Sequence, residues 1–251
     1  MDSQEIQRVA EDLFSAPRVI AFTGAGISVE SGIPDFRSST GLWSKYNPEE
    51  YATIDAFRAD PRKVWKMLAG MIDLVVRAKP NPAHVGLADL EEIDKLHAVI
   101  TQNVDGLHQA AGSRKVIELH GSNATLSCLS CGSTFGAESF SLNDLPPTCG
   151  RCRSILKPDV VFFGEPLPWD AYNEAMEAAR TCDLVLVIGT SAVVYPAADI
   201  PITAKEFGAK VIEVNIEPTS LTDQVSDYLI EGRSAEIVPR IVARLRDLMG
   251  Q

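Results

Sequence analysis

Residues 24–37 read GAGISVESGIPDFR, and they follow a short apolar run, Val19, Ile20, Ala21 and Phe22, that has the character of a buried strand. Gly24 and Gly26 let the backbone turn tightly and leave amide N–H groups free to approach a phosphate. Residues 28–31 continue as a short helical turn, which Gly32, Ile33 and Pro34 break. Behind the break come Asp35, Phe36 and Arg37: an anion, a ring and a cation on a loop at the strand's carboxyl end, where open parallel sheets bind their ligands. The stretch reads as one wall of a nucleotide site. The glycines alone do not decide it, because the dinucleotide fingerprint wants a third glycine where this chain has Val29. A plain strand-to-helix turn that needs small residues has an equal claim at this point.

Outward from this stretch, strands and helices alternate. Residues 3–14 read as an amphipathic helix with Ile6, Val9, Ala10 and Leu13 on one face, and residues 38–60 as irregular and polar. Asp60-Pro61 opens a helix to about Arg77; residues 79–82 (KPNP) end it and open another. Strands are expected at 97–101, 116–119, 160–163, 184–188, 211–214 and 228–230. Helices are expected near 105–111, 168–181, 196–207 and 235–249, with Pro239 in or near the last one's first turn. This alternation predicts an α/β fold with a parallel sheet covered on both faces. Residues 121–158 are different in character, short and rich in Ser and Cys, and read as an inserted module.

The 251 residues suffice for one large domain, or for one domain plus a small module. A net charge of −11 argues against nucleic-acid binding through the bulk field and suits lysine-rich partners, although solubility is the better default explanation. No apolar run is long enough to cross a membrane, and the first residues lack a basic-then-apolar signal layout, so a reducing, cytoplasmic location is expected.

Cys128-x-x-Cys131 and Cys149-x-x-Cys152, 17 residues apart, have the spacing of a zinc ribbon. Four thiolates saturate one Zn²⁺ and leave no position for water, so the metal is expected to be structural. Cys182 precedes an apolar strand and reads as a buried filler.

Polar residues recur after the expected strands: Gln102, Asn103, Val104 and Asp105; Gly189, Thr190 and Ser191; Asn215, Ile216 and Glu217. Singly these are ordinary turn residues. With residues 24–37 they put four ligand-like loops at one end of a sheet, suited to a dinucleotide, with Asn215 or Glu217 available to ribose hydroxyls. Of the four histidines, His120 stands out, at a strand end directly before Gly121, where an imidazole could take a proton near neutral pH.

Together, GAGISVESGIPDFR, TQNVDGLH (101–108), ELHG (118–121), both CxxC pairs, VVFFGE (160–165), GTS (189–191) and NIE (215–217) resemble the motif set of the sirtuins, NAD-dependent protein lysine deacylases. The likeness runs in order over about residues 15–240, and it is to the compact prokaryotic type. It implies a Rossmann-like domain of residues 1–37, 86–121 and 159–251, with a helical insert (38–85) and a zinc-bearing insert (122–158) forming a small domain. NAD and an acyl-lysine peptide would meet between them. By motif, Gly24, Ala25, Gly26, Val29, Asp35, Phe36, Arg37, Gln102, Val104, Asp105, Gly189, Thr190, Ser191, Asn215, Ile216 and Glu217 would surround NAD. Val160, Val161, Phe162, Phe163 and Gly164 would pair with the substrate backbone. His120 would be the general base, and Asn103 would hold a water or the ribose. The implied reaction consumes NAD: the acyl oxygen attacks the ribose carbon, nicotinamide leaves, and lysine and O-acyl-ADP-ribose are the products.

Relatives that prefer acidic acyl groups carry a Tyr and an Arg where this chain has Leu68 and Met71. Acetyl and longer neutral chains are therefore expected over succinyl or malonyl, unless Leu68 and Met71 simply pack the core. An NAD oxidoreductase would explain the sheet but not the zinc module. A zinc-ribbon adaptor for nucleic acid or protein is opposed by the acidic charge. ADP-ribosyl transfer to protein would use the same cofactor site.

Overall fold

The computed structural model describes residues 3–141 and 144–250; residues 1, 2, 142, 143 and 251, which fall within the expected domain ranges, lie outside the described residues. In chain order, α1 (Ser3–Ser15) leads to β1 (Val19–Thr23) and a 3-10 turn over Ala25–Ser31. Next come α2 (Pro48–Tyr51), α3 (Ile54–Ala59), α4 (Pro61–Arg77) and α5 (Pro82–Glu92), then β2 (Ala98–Thr101), α6 (Leu107–Ala110) and β3 (Val116–Glu118). A small sheet follows, made of β4 (Gly121–Cys128), β5 (Thr134–Gly136) and β6 (Leu156–Val160). The chain ends with α7 (Trp169–Thr181), β7 (Leu184–Ile188), α8 (Asp199–Glu206), β8 (Lys210–Asn215), β9 (Tyr228–Glu231) and α9 (Ser234–Met249).

The large sheet has the order β3-β2-β1-β7-β8-β9, and every neighbouring pair is parallel. Ranked along the chain, its strands run 3-2-1-4-5-6, the doubly wound dinucleotide-binding order, which reverses between β1 and β7. Both faces are buried, so each strand is apolar throughout. Val19, Ala21, Leu184, Leu186 and Ile212 point into a core shared with α1, α5 and α9. Ile20, Phe22, Val185, Val187 and Val211 point the other way, against α7 and α8. The parallel sheet expected from the alternation is therefore present, and its strand order is the Rossmann-like one that the resemblance implies.

Three expectations are corrected. Residues 38–60 are not simply irregular, because α2 and α3 fold there, each opened by a side-chain cap: Asn47 accepts from the Glu49 amide and Thr53 from the Ala56 amide. Helices this short carry too few apolar positions to register a period. Residues 160–163 are not a strand of the parallel sheet. The strand is β6, antiparallel to β4 in the small sheet, and the chain beyond Val160 only bridges to Thr53 through Phe163. The apolar run VVFF records a wall of the cleft and not a sheet core. Pro239 lies in the interior of α9 and not in its first turn; Ala235, whose carbonyl loses its helical donor, is half-buried.

A third core joins the inserts. Trp65 and Val64 of α4 and Phe57 of α3 pack on Leu126, Leu156 and Phe162, and the Trp65 indole N–H donates to the Leu156 carbonyl at 2.8 Å. Among the described residues no helix is long and apolar enough to cross a membrane.

Candidate active site

The reversal between β1 and β7 brings two loops into close contact. The Gly26 amide donates to the Gly189 carbonyl at 2.7 Å, and Gly189 has φ +58°. A Cβ on Gly189 would sit 2.3 Å from the Ile27 nitrogen, so this crossing requires glycine. The segment after Gly24 is a 3-10 turn and not an α-helix, and Val29 is half in solvent there. Residue 29 lies on this turn and lines the cavity described below, not a helix–strand contact of its own unit, which explains the missing third glycine.

Above this crossing lies a cavity of about 760 Å³. Every cofactor-site residue expected from sequence lines it: Gly24, Ala25, Gly26, Val29, Asp35, Phe36 and Arg37 after β1; Gln102, Val104 and Asp105 after β2; Gly189, Thr190 and Ser191 after β7; Asn215, Ile216 and Glu217 after β8. So do Asn103 and His120, the wall residues Val160, Val161, Phe162, Phe163 and Gly164, and Leu68 and Met71 of α4. Leu68 and Met71 are half-buried and face this space with Ile72 and Val75.

His120 sits where the two sheets meet, between β3 and β4. Gly121, at φ +72°, makes the turn; a Cβ there would fall 2.0 Å from the Asp159 carbonyl oxygen. The His120 ring Nδ1 lies 2.9 Å from the Gln102 carbonyl oxygen. A carbonyl only accepts, so Nδ1 carries the proton and Nε2 keeps its lone pair. Burial holds the imidazole below the usual histidine range, against the opposing effect of that hydrogen bond, so the ring is neutral at physiological pH.

Asn103 is fixed through Nδ2, which donates to the Gly24 carbonyl and to Ser28 Oγ, each at 3.1 Å. Ser28 Oγ in turn donates to Asp105 Oδ2 at 2.7 Å, while Asp105 Oδ1 accepts from the Leu107 amide at 2.9 Å. Gln102 Nε2 donates to Thr190 Oγ1 at 2.9 Å, tying the β2 and β7 loops.

Sequence reasoning missed several contributors. Ser28 is fully buried and joins the glycine-rich turn to Asn103 and Asp105; a serine inside that turn was the available signal. His84 and His108 pair behind it, ring centroids 4.9 Å apart. Desolvation lowers His84 to about 4, and desolvation with the neighbouring His84 lowers His108 to about 3, so both are neutral. Gly232, Arg233 and Ser234 at the start of α9 also reach the cavity, and Ser234 Oγ is buried with no hydrogen-bond partner among the described residues. Nothing in their local sequence signals this placement.

The four zinc-motif sulfurs lie within 4.8 Å of one another, with Cys128–Cys152 at 3.4 Å and Cys131–Cys149 at 3.6 Å. All four are free thiols. Zn–S bonds of about 2.3 Å in a tetrahedron put sulfurs about 3.8 Å apart, so the donor set fits Zn²⁺. The knuckles match: the Gly132 amide donates to the Cys128 carbonyl and the Arg153 amide to the Cys149 carbonyl, each at 2.9 Å. Cys182 is buried in the parallel-sheet core, and burial pushes its thiol up to about 12, consistent with an inert filler.

A family model described as Sir2 family matches residues 24–196. The chain is 49% identical over 238 residues to NAD-dependent protein deacylase 2 of Pyrobaculum aerophilum, covering 95% of each chain. It superposes on a Sir2 homologue–NAD complex with a TM-score of 0.89 at 42% identity, over 99% of this chain and 95% of that one. It superposes on Sir2Af2 bound to a myristoylated histone peptide with a TM-score of 0.85 at 42% identity, over 99% of each. Sequence, topology and the paired zinc knuckles agree, and the chain belongs to the Sir2 family, the sirtuins.

Proposed function

We propose that the chain is an NAD-dependent protein-lysine deacylase that removes neutral acyl groups, acetyl among them, in preference to succinyl or malonyl. The observation that carries the reading is the convergence of a neutral imidazole, four strand-end loops and an open chain segment on one cavity. The relatives' names and complexes support it: a deacylase, an NAD complex and an acylated histone peptide complex.

NAD bound there supplies an electrophilic ribose carbon with a neutral leaving group, so that the acyl group passes from lysine to ADP-ribose and nicotinamide is released. The chain's own groups prepare that transfer. His120 Nε2 takes the ribose hydroxyl proton, and the Gln102 carbonyl fixes the tautomer that makes this possible. Asn103 Oδ1, without a protein partner among the described residues, is the atom left to hold water or ribose. Phe36, its ring against Trp43 at 5.3 Å between centroids, would shield the reactive face of bound NAD. The four-cysteine cluster holds structural zinc. Residues 38–85 and 122–158 act together as the small domain, which the packing of Trp65 beneath Leu156 supports.

Acyl preference follows from α4. Leu68, Met71, Ile72 and Val75 present an apolar wall, and a carboxylate carried against it would lose its hydration without gaining a partner from that helix. The test is mass analysis of all products from NAD with acetyl-, myristoyl- and succinyl-lysine forms of one peptide. Nicotinamide and acyl-ADP-ribose from the neutral forms are expected. Faster succinyl removal would overturn the preference, and label from NAD retained on protein would indicate ADP-ribosyl transfer instead.

A further inference from the structure

We propose that Lys157, a buried ammonium paired with the partly buried Glu165, is the positioning residue that presents the Val161 carbonyl to the acylated peptide. This rests on the deacylase reading above. The Lys157 side chain is 7% exposed, and an ammonium so buried must spend all three donors. It does: Nζ lies 2.7 Å from the Val160 carbonyl oxygen, 3.1 Å from that of Pro158 and 2.9 Å from Glu165 Oε2. The Phe162 ring centroid lies 4.6 Å from the same nitrogen. One cation thus closes the loop from the end of β6 to Glu165.

Glu165 Oε2 also accepts from the Phe162 amide at 2.8 Å. In a planar trans peptide the N–H and the C=O point in opposite directions. Holding the Phe162 N–H toward Glu165 therefore turns the Val161 C=O, in the same peptide unit, away from it. The neighbouring groups are taken: the Val161 amide donates to the His120 carbonyl, the Phe163 amide to the Ala52 carbonyl, and the Ile54 amide to the Phe163 carbonyl. Among the described residues the Val161 carbonyl accepts no hydrogen bond, and Val161 lines the cavity. It is one residue beyond the strand, bonded through its own amide to the backbone of His120. An amide N–H of the bound peptide placed on this carbonyl is held at a fixed distance from the base.

The test compares wild type with Lys157→Met, Lys157→Arg and the apolar pair Lys157→Met/Glu165→Met, all zinc-loaded. Lys157→Met is expected to raise the peptide KM about tenfold, with kcat at saturating peptide within about threefold and NAD affinity by calorimetry within about twofold. Lys157→Arg should recover most of the loss. A buried pair replaced by apolar side chains commonly regains stability. The double variant should therefore melt near wild type yet keep the raised peptide KM, which also answers the case in which Lys157→Met alone fails to fold. A double variant with wild-type stability and wild-type peptide KM, or a parallel loss of NAD affinity, would overturn the positioning role. If the wild type itself releases no nicotinamide with acylated peptide, the deacylase reading has failed instead.

Discussion

The parallel sheet buries both faces of its strands: Ile20, Phe22, Val185 and Ile188 have essentially no exposure. In the three-stranded sheet, β4 buries only Leu126 and Cys128, and β5 buries nothing fully. The small sheet's core is completed by α3 and α4 on one side and by two of the zinc-motif cysteines. One sheet is held by apolar burial; the other borrows helices, and its four cysteines would hold a metal ion, because a module this small cannot bury enough surface alone. His120 lies at the seam, after the last residues of β3 and directly before β4.

That contrast can be broken first by metal removal. Structural zinc contributes on the order of 10 kcal/mol to folding of small modules. Chelation is expected to abolish order in β4, β5 and β6 and peptide binding, while the parallel sheet survives. Hydrogen exchange resolved by segment checks this; protection of β4 in zinc-free protein would mean that packing, not metal, holds the module. At the seam, His120→Ala should lower turnover about 10²- to 10⁴-fold with NAD binding retained. Calorimetry with NAD reads this directly, and an equal loss of affinity would make His120 structural.

Trp65→Ala removes the side chain that joins α4 to β6 and should cost about 3–5 kcal/mol in denaturant unfolding. The loss should appear in the small module's transition and leave that of the parallel sheet in place. The smallest effect is on the large sheet's polar layer. His84 and His108 are neutral when folded, with values near 4 and 3, against 6.5 for the free side chain. Between about 6.5 and 4 the unfolded chain binds more protons, so stability falls as pH falls, by up to about 2 kcal/mol per group by pH 5. Thermal melts across that range check the sign. His120 adds a kinetic counterpart: kcat/KM should be level through neutral pH and fall in acid below the usual histidine range.

Much of this was legible in advance, and the reasons are local. The strands of the parallel sheet show as continuous apolar runs because both faces are buried. Asp60-Pro61 and Asn81-Pro82 announce α4 and α5 because a capping side chain and a prolyl ring act within one turn. The CxxC pairs declare the zinc site since each knuckle is made within five residues. What could not be read is equally specific. VVFF looks like any buried strand, and only the tertiary structure, in which the chain leaves β6 at Val160 and runs along the cavity, makes it a cleft wall. Leu68 and Met71 fit helix packing as well as a cavity lining, and the choice depends on what lies opposite them. Ser28, His84 and His108 meet from segments far apart in the chain.

By itself the sequence determined the longer elements, their alternation, the metal ligands and the set of loops that carry polar residues, because each depends on neighbours within a few positions. The tertiary structure alone decided that the loops converge, that the His120 proton sits on Nδ1 and that the Val161 carbonyl accepts no hydrogen bond among the described residues. Those facts follow from hydrogen bonds between residues distant in the chain, whose partners exist only once the strand order has brought β1 beside β7 and β4 beside β6.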